Sequence, residues 1–283
     1  MGMKLGFVDY YLSEWHANNY PKWIAQICEK KGIDAQVCYA WGELDVSPYD
    51  NVTSAEWCEK YGVTLCASIE EVCEKSDYIF ILAPSNPEKH LEYARTVLSY
   101  GKRTYIDKTF APNEQEASEI FALSKKYNAP MFSSSALRYS ADWKDRGEVK
   151  SIMVTGGGSN LAEYIVHSVE VAVSLLRDPA ARIRLRRHGG HHFVDVVTKG
   201  GKEAEIVYSI GLPYTASATG MDGEIWYAVS QSAHFLELIS DILHFFESGE
   251  LSFDPAQTME VMHLRDAILK ADAESNFDWI NLD

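Results

Sequence analysis

Short apolar runs alternate with longer amphipathic segments through the first half of the chain. The amphipathic segments repeat apolar residues at three- and four-residue spacing, which predicts helices. These lie at Asn19–Lys31, Ser54–Lys60, Ile69–Lys75, Pro87–Tyr100 and Glu114–Tyr127. The apolar runs predict strands at Lys4–Val8, Ala35–Tyr39, Val63–Leu65, Tyr78–Leu82, Thr104–Ile106 and Met131–Ser133. Strands that alternate with helices pair in parallel through right-handed crossovers, so this half is predicted to be a doubly wound α/β sheet.

The pattern changes after about Ala136, where strand-like runs follow one another with fewer helices between them. Glycine turns at Gly200-Gly201 and Asp222-Gly223 separate some of the runs, and such turns join antiparallel strands. The predicted strands are Glu148–Thr155, Arg182–His188, His192–Thr198, Glu203–Ile210, Gly223–Val229 and Trp279–Leu282, and the predicted helices are Leu161–Leu176, Gln231–Glu247 and Pro255–Ala273. We therefore predict an α/β domain over residues 1–136 and an α+β domain, with a mainly antiparallel sheet, over residues 137–283.

Charge and composition exclude several classes of partner. The chain of 283 residues carries a formal net charge of −15, which would repel nucleic acid and anionic membranes. It has no apolar run of about 18 residues and no charged-then-apolar pattern of a secretion signal near its start. The five cysteines form no Cys-x-x-Cys pair, which favours reduced core thiols over a metal site. We expect a cytoplasmic protein with no nucleic-acid, membrane or metal partner.

Candidate chemistry stands where three predicted strands end. In a doubly wound sheet, ligands bind at the carboxyl ends of the strands. The first strand is followed by a long loop from Asp9, another by Ala83-Pro84-Ser85-Asn86, and a third by Asp107-Lys108-Thr109. A lysine that leaves a buried strand at this edge is either a cation for a ligand or a solvated loop residue.

Several segments together resemble the Gfo/Idh/MocA oxidoreductases, the family of glucose–fructose oxidoreductase and inositol dehydrogenase. The stretch from Asn86-Pro87-Glu88-Lys89-His90 to Asp107-Lys108 is similar to the family pattern that ends in Glu-Lys-Pro. Ser135-Ala136-Leu137-Arg138-Tyr139 stands where the family has an arginine–aromatic pair, and Asp254–Leu282 resembles its closing segment. The resemblance covers nearly the whole chain and implies a Rossmann-type first domain that binds NAD or NADP.

The resemblance also implies catalytic roles. Lys108 matches the lysine of the Glu-Lys-Pro motif, and Glu163 and His167 match the family's Asp-x-x-x-His pair. Lys108 would polarise the substrate oxygen, and His167, oriented by Glu163, would transfer its proton within a cleft shared with Lys108. Hydride would pass between the substrate and a nicotinamide. Taken without the resemblance, the face of Glu163, His167 and Glu170 is a solvent-facing polar stripe.

Further residues are assigned by the same resemblance. The implied substrate-binding residues are Arg138, Tyr139 and Tyr164, and the implied cofactor-binding residues are Val8, Asp9, Ala83, Pro84, Asn86, His90, Asp107 and Lys108. The implied substrate is a small molecule, namely a sugar, a polyol or a related hydroxy compound.

The loop after the first strand departs most from the family. In register with it, Asp9 and Tyr11 occupy the first two glycine positions of the phosphate loop, where backbone must approach the pyrophosphate. A carboxylate about 4 Å from a phosphate charge would cost about 4 kcal/mol at an effective dielectric constant near 20. We expect a wider turn that holds no pyrophosphate in the usual manner, with Tyr10, Tyr11 or Trp15 folded over the cleft. The next helix would be capped by Asn19.

The second domain carries two basic clusters. They are His188, His191 and His192 around a glycine turn, and Arg182, Arg184 and Arg186 on one strand face. The histidines indicate a turn at a strand end more than a zinc site, because Asp195 is the only acid nearby and no cysteine is. The arginine face is either solvated or pairs with carboxylates of a partner subunit. We expect a homo-oligomer, a dimer or tetramer, built through this open sheet face.

Two functions are open. An NAD(P)-dependent oxidoreductase is favoured by Lys108 and by the pair Glu163 and His167. The alternative is a non-catalytic ligand-binding or regulatory member of the same fold that has lost dinucleotide binding, and the glycine-free first loop favours it. A metal-dependent hydrolase is disfavoured, since the chain has no His-x-His motif, no His-Glu-x-x-His motif and no carboxylate cluster.

Overall fold

The computed structural model describes residues 2–282. They form two compact units: the residues up to Ser134 with Leu238–Ser252, and Ser135–Glu237 with the residues from Phe253 onward. The sequence predicts a single boundary near residue 136. The structure differs in one segment, because Leu238–Ser252 returns to the first unit.

The first unit contains a parallel sheet, six-stranded within residues 2–282. Its strands are β1 (Met3–Asp9), β2 (Ala35–Gly42), β3 (Thr64–Leu65), β4 (Tyr78–Ile81), β5 (Thr104–Ile106) and β6 (Met131–Phe132). Its helices are α1 (Trp15–Lys31), α2 (Ser54–Tyr61), α3 (Ile69–Lys75), α4 (His90–Val97, between short 3₁₀ turns) and α5 (Glu114–Tyr127). The strand order β3-β2-β1-β4-β5-β6 confirms the Rossmann-type sheet. The order reverses between β1 and β4, where this fold places its ligand.

Helix α1 begins at Trp15, not at Asn19, and its N-cap is Glu14. A start at Asn19 would put Pro21 in the first turn, where proline is favoured, but Pro21 lies inside the helix. The buried stripe of the helix is Ala17, Tyr20, Ile24 and Ile27. This stripe begins before Asn19, so the predicted cap at Asn19 is wrong.

Helix α7 (His234–Ser248) explains why Leu238–Ser252 belongs to the first unit. The ring of Phe246 stacks on Tyr78 of β4 at 4.9 Å, and that of Phe245 meets Phe132 of β6 edge-on at 5.1 Å. Arg103 also donates from Nη1 to the carbonyl of Phe246 at 2.5 Å. Because aromatic pairs add to the burial of apolar area, this face of α7 is held on the parallel sheet.

The second unit is built on a mixed sheet. Its strands are β7 (Val149–Gly156), β8 (Ala180–His188), β9 (His191–Thr198), β10 (Glu203–Tyr208), β11 (Thr215–Gly220), β12 (Ile225–Val229) and β13 (Ile280–Asn281), in the order β12-β11-β7-β10-β9-β8-β13. Among the described strands of this second sheet, only β7 and β10 pair in parallel, which confirms that it is mainly antiparallel. Strand β11 is absent from the sequence prediction, because its small residues form no apolar run.

One face of this sheet carries the core of the second unit. Helices α6 (Leu161–Leu176) and α8 (Ala256–Glu274) belong to the same unit, and buried residues of both helices and of the sheet form one apolar cluster. The opposite face keeps large side chains exposed, among them Met153, Ile225 and Tyr227. No helix within residues 2–282 has the length and the apolar character needed to cross a membrane.

Candidate functional site

The carboxyl edge of the parallel sheet is where the first loop, Ala83-Pro84 and Asp107-Lys108 emerge. Asp9, at the end of β1, is fully buried. Its Oδ1 accepts the amide of Tyr10 at 2.7 Å and the amide of Ala83 at 3.0 Å. Asp9 therefore ties the end of β1 to the end of β4. Val8, which precedes it, is buried within the strand.

Asp107 is the centre of a buried polar network on the same edge. Its Oδ2 is paired with Nδ1 of His16, and its Oδ1 accepts the amide of Lys108 at 2.8 Å. The hydroxyl of Tyr105 also donates to Oδ1, at 3.3 Å. Burial by itself would raise the pKa of Asp107, but His16 and then Lys108 outweigh burial and lower it. Asp107 thus stays ionised and anchors the first turn of α1.

Glu14 is buried and holds the N-terminus of α1. Its Oε2 accepts the amide of His16 at 2.7 Å, and its Oε1 accepts the amide of Ala17. The amides of this first helix are the ones that a Rossmann-type fold offers to a pyrophosphate. In this protein the carboxylate of Glu14 accepts hydrogen bonds from these amides.

Three carboxyl groups, those of Asp9, Glu14 and Asp107, act on one another at this edge. Burial, and after it the charge of Glu14, raises the pKa of Asp9 well above its ordinary value. Burial also raises the pKa of Glu14, against the opposing effect of His16. Oδ2 of Asp9 has no hydrogen-bond partner within residues 2–282. The edge is therefore rich in acid, and burial opposes the ionisation of Asp9.

Lys108 is half-buried beside the turn that follows β4. Its Nζ donates to the carbonyl of Pro84 at 3.3 Å. The residue before this proline, Ala83, has a left-handed backbone with φ of 52°. Lys108 thus lies at the carboxyl edge of the sheet, and its role as a cation for a ligand stays a prediction.

His90 supports the same turn from within the protein. It is fully buried, with Nε2 2.5 Å from the carbonyl of Leu82 and Nδ1 3.1 Å from that of Phe110. Burial lowers the pKa of His90. Asn86, nearby in the chain, donates from Nδ2 to Glu88 at 2.9 Å. Contact of His90 and Asn86 with a cofactor stays a prediction.

In the second unit, His167 lies on α6 and is half-buried. Its Nδ1 is 2.7 Å from the hydroxyl of Ser135. The rings of Tyr164 and Tyr214 flank it, each with its centre 5.8 Å from that of His167. Glu163 belongs to the first turn of α6, where its amide donates to Oδ1 of Asn160 at 2.9 Å. The unit thus surrounds His167 with one hydroxyl group and two aromatic rings.

Arg138 and Tyr139 are buried in the short 3₁₀ helix Ala136–Tyr139 that follows Ser135. Nε of Arg138 donates to Glu170 of α6 at 2.6 Å, and Nη1 donates to Gln257 of α8 at 2.7 Å. These bonds fix the segment that carries Ser135. Substrate contact by Arg138 or Tyr139 is untested and stays a prediction.

The predicted dinucleotide fits the residues at the end of β2 but not those at the N-terminus of α1. Glu43 follows β2 directly, where the fold keeps an acid for a dinucleotide ribose. Its carboxylate accepts Nζ of Lys89 and the hydroxyl of Tyr93, each at 2.7 Å. At the N-terminus of α1, in contrast, Glu14 fills the place of the pyrophosphate. The residues there do not fit a dinucleotide in the usual position.

The sequence prediction missed Glu14, His16, Ser135 and Tyr214. Glutamate is not among the favoured N-cap residues, so Glu14 gives no capping signal. The signal that could have found it is the apolar stripe of α1, which extends back to Ala17. Tyr214 lies far from α6 in the sequence, and only the fold brings it to His167.

The three histidines His188, His191 and His192 of the second unit lie around the turn between β8 and β9. Within residues 2–282 no group of three or more His, Cys, Asp or Glu side chains is arranged to hold a metal ion. His188 and His191 face each other across the turn between β8 and β9, while Nε2 of His192 lies 3.2 Å from Asp272 of α8. The interpretation as a strand end agrees with this pairing.

Part of the first unit matches a known family by sequence. Residues 46–134 match the model of the GFO_IDH_MocA family, described as an oxidoreductase family with an NAD-binding Rossmann fold. A curated relative, the uncharacterized oxidoreductase YhhX of Escherichia coli K12, is 32% identical over 59 residues. That alignment covers 21% of this chain and 17% of YhhX.

Solved structures match over almost the whole chain. A probable dehydrogenase from Thermotoga maritima has a TM-score of 0.81 at 12% identity, covering 99% of this chain and 98% of that one. Myo-inositol dehydrogenase from Lactobacillus casei, solved in complex with NAD(H) and myo-inositol, has a TM-score of 0.76 at 11% identity, covering 100% and 97%. At these identities the likeness shows the fold. The resemblance to the Gfo/Idh/MocA oxidoreductases is thus confirmed by sequence over residues 46–134, and the solved structures show that the fold is shared over nearly the whole chain.

Proposed function

We propose that the chain is an oxidoreductase that acts on a hydroxyl group of a sugar, a polyol or a related compound. Lys108 carries the proposal, because it lies within the segment that matches the family and stands at the carboxyl edge of the parallel sheet. The structural relative that was solved with myo-inositol supports this class of substrate.

In this proposal the chain's own residues bind the hydroxyl group and move its proton. Lys108 donates a hydrogen bond to the substrate oxygen, and His167 takes or returns the hydroxyl proton. The bond between Ser135 and Nδ1 of His167 orients the imidazole. Glu163 lies one turn before His167 on the same helix face and, in this proposal, helps to orient the imidazole. Tyr164, whose ring contacts His167, is the proposed substrate contact.

NAD or NADP is the cofactor that the family resemblance implies. The proposed contacts are Val8, Asp9, Ala83, Pro84, Asn86, His90, Asp107 and Lys108. Glu14 stands at the pyrophosphate position, and this observation favours a second candidate function. In that candidate the fold binds a small molecule without a dinucleotide and without turnover.

Thermal unfolding with each dinucleotide separates the two candidates. A ligand that binds only the folded state at a hundred times its dissociation constant adds about 2.7 kcal/mol, enough to raise Tm by several degrees. The oxidoreductase requires such a rise with NAD(H) or NADP(H), together with turnover of a polyol or sugar. A flat response to all four dinucleotides, with no turnover across the panel, would leave the non-catalytic candidate.

A further inference from the structure

The N-terminus of α1 is occupied by the protein itself. Both carboxylate oxygens of Glu14 are engaged, Oε2 by the amide of His16 and Oε1 by the amide of Ala17. Only 7% of Glu14 is exposed, so the carboxylate lies within the protein rather than in solvent. It has the charge and the two oxygens with which a phosphate group would bind the same amides.

A second observation concerns the neighbouring side chain of Asp9. This residue is fully buried, and its carboxyl is close enough to feel the charge of Glu14. Its Oδ2 has no hydrogen-bond partner within residues 2–282. A buried polar atom without a partner costs free energy. Oδ2 of Asp9 is thus a buried polar atom near Glu14 with a hydrogen bond still to make.

We propose that Glu14 is an internal occupant of the phosphate position, so that a phosphate-bearing ligand binds this edge only when the Glu14 carboxylate leaves the helix amides. The inference rests on the proposed dinucleotide edge but not on turnover. The sequence alone attributes the exclusion of pyrophosphate to Asp9 and Tyr11. The inference attributes this exclusion to the Glu14 carboxylate. Asp9 points into the protein, onto the amides of Tyr10 and Ala83, whereas Glu14 takes the amides that the phosphate needs.

The test compares the affinity of NADH for the whole protein and for two variants, measured by calorimetry. Glu14→Ser replaces the carboxylate by a small neutral side chain that still caps a helix well. Glu14→Gln keeps the size of the side chain and one acceptor oxygen, but removes the charge. Ser68→Ala is the matched control, because Ser68 caps α3 after the edge strand β3.

NADH should bind Glu14→Ser at least about tenfold more tightly than the unchanged protein, and inorganic pyrophosphate should compete with it. Glu14→Gln should gain less, since its side chain still fills the position, and Ser68→Ala should gain nothing. If NADH bound the unchanged protein and Glu14→Ser with equal affinity, the inference would be overturned. It would also be overturned if NADH bound neither the unchanged protein nor any of the variants. If Glu14→Ser does not fold, Glu14→Gln is compared with the unchanged protein instead. Equal affinity of these two proteins for NADH would then overturn the inference.

The same measurements keep this inference apart from the proposed function. A gain of affinity in Glu14→Ser, with no turnover in any form of the protein, supports the inference and counts against the oxidoreductase. Tight binding and turnover in the unchanged protein support the oxidoreductase and overturn the inference.

Discussion

The hydroxyl of Ser135 lies 2.7 Å from Nδ1 of His167, and the two residues are joined across 32 positions of the sequence. Ser135 also accepts the amide of Leu137 at 3.2 Å, so its own position is fixed by the 3₁₀ turn that follows it. Because one ring nitrogen is held by a placed hydroxyl, the orientation of the imidazole is set by the fold and not by a solvent-exposed rotamer.

If the chain turns over a hydroxy substrate, His167→Ala should lower kcat by at least about a hundredfold, the lower range for a positioned proton-transfer group. Steady-state kinetics on the best substrate of the panel measures this. His244→Ala, at an exposed histidine of α7, is the control and should keep the full rate. A normal rate in His167→Ala would place the chemistry elsewhere.

Ser135 should act as a positioning residue. Ser135→Ala removes the hydroxyl that orients His167, so we expect a smaller loss of kcat than in His167→Ala and a shifted pH profile of kcat. A purely structural role would lower Tm and leave the pH profile in place. The pH dependence of kcat therefore distinguishes the two roles.

Lys108→Ala should likewise lower kcat at least about a hundredfold, because the substrate oxygen would lose its cationic hydrogen-bond donor. Lys126→Ala, at the basic last turn of α5, is the matched control. If Lys108→Ala raised KM alone and left kcat unchanged, Lys108 would bind the substrate without assisting the reaction.

Asp9→Asn should be stabilising at high pH and lose that advantage at low pH. The folded state raises the pKa of Asp9 through burial and then through Glu14, so the folded chain retains a proton that the unfolded chain releases above about pH 4. The stability of the unchanged protein therefore falls as pH rises from about 4 toward the raised pKa. Asparagine keeps the acceptor for Tyr10 and Ala83 without carrying a titrating proton. The measurement is Tm of both proteins from pH 4 to 8. A Tm of Asp9→Asn that fell further below that of the unchanged protein as pH rose would contradict the prediction.

The open face of the second sheet should mediate self-association. Met153 of β7 is 41% exposed on this face, and Ile225 of β12 is 75% exposed. Arg184 and Arg186 are already paired with Asp195 of the same chain, so they need no partner's carboxylates. Light scattering at micromolar concentration should show two or four chains, and Met153→Arg should reduce this number. Met221→Arg, at a 51% exposed turn, is the control, and a monomeric unchanged protein would refute the expectation.

The five cysteines should differ in thiol reactivity according to their burial. Burial raises the pKa of Cys58 from 9.0 to about 11 and that of Cys73 from 9.0 to about 12. Each unit of rise lowers the reactive thiolate fraction tenfold, and burial also shields the sulfur, so Cys58 and Cys73 should be alkylated more slowly than the half-exposed Cys38. Alkylation of the folded protein by N-ethylmaleimide, followed by peptide mass spectrometry, gives the rates. Comparable rates at Cys73 and Cys38 would show that the first unit opens readily.

The two ends of α1 and the path of α7 show where sequence reasoning was sufficient and where it failed. Helix α1 ends at Lys31 as predicted, and Gly32 follows it because a residue in left-handed conformation after a helix favours glycine. The start at Glu14 is missed, because glutamate is not among the residues that favour the N-cap position. The apolar stripe of α7 predicts a buried helix, but the stripe does not say that Tyr78 and Phe132 of the first sheet receive it.

The alternation of strands and helices, and with it the parallel sheet and its carboxyl edge with Lys108, follows from the amino-acid pattern alone. Hydrophobic period and helix capping depend on neighbouring residues, so they can be predicted from the sequence. Which groups come together at that edge depends on the folded chain. It set Asp107 against His16, turned Asp9 inward to Ala83, and placed the Glu14 carboxylate on the amides of α1. Such contacts depend on residues that are distant in the sequence and on burial that changes their charge, and no pattern of neighbouring residues encodes either.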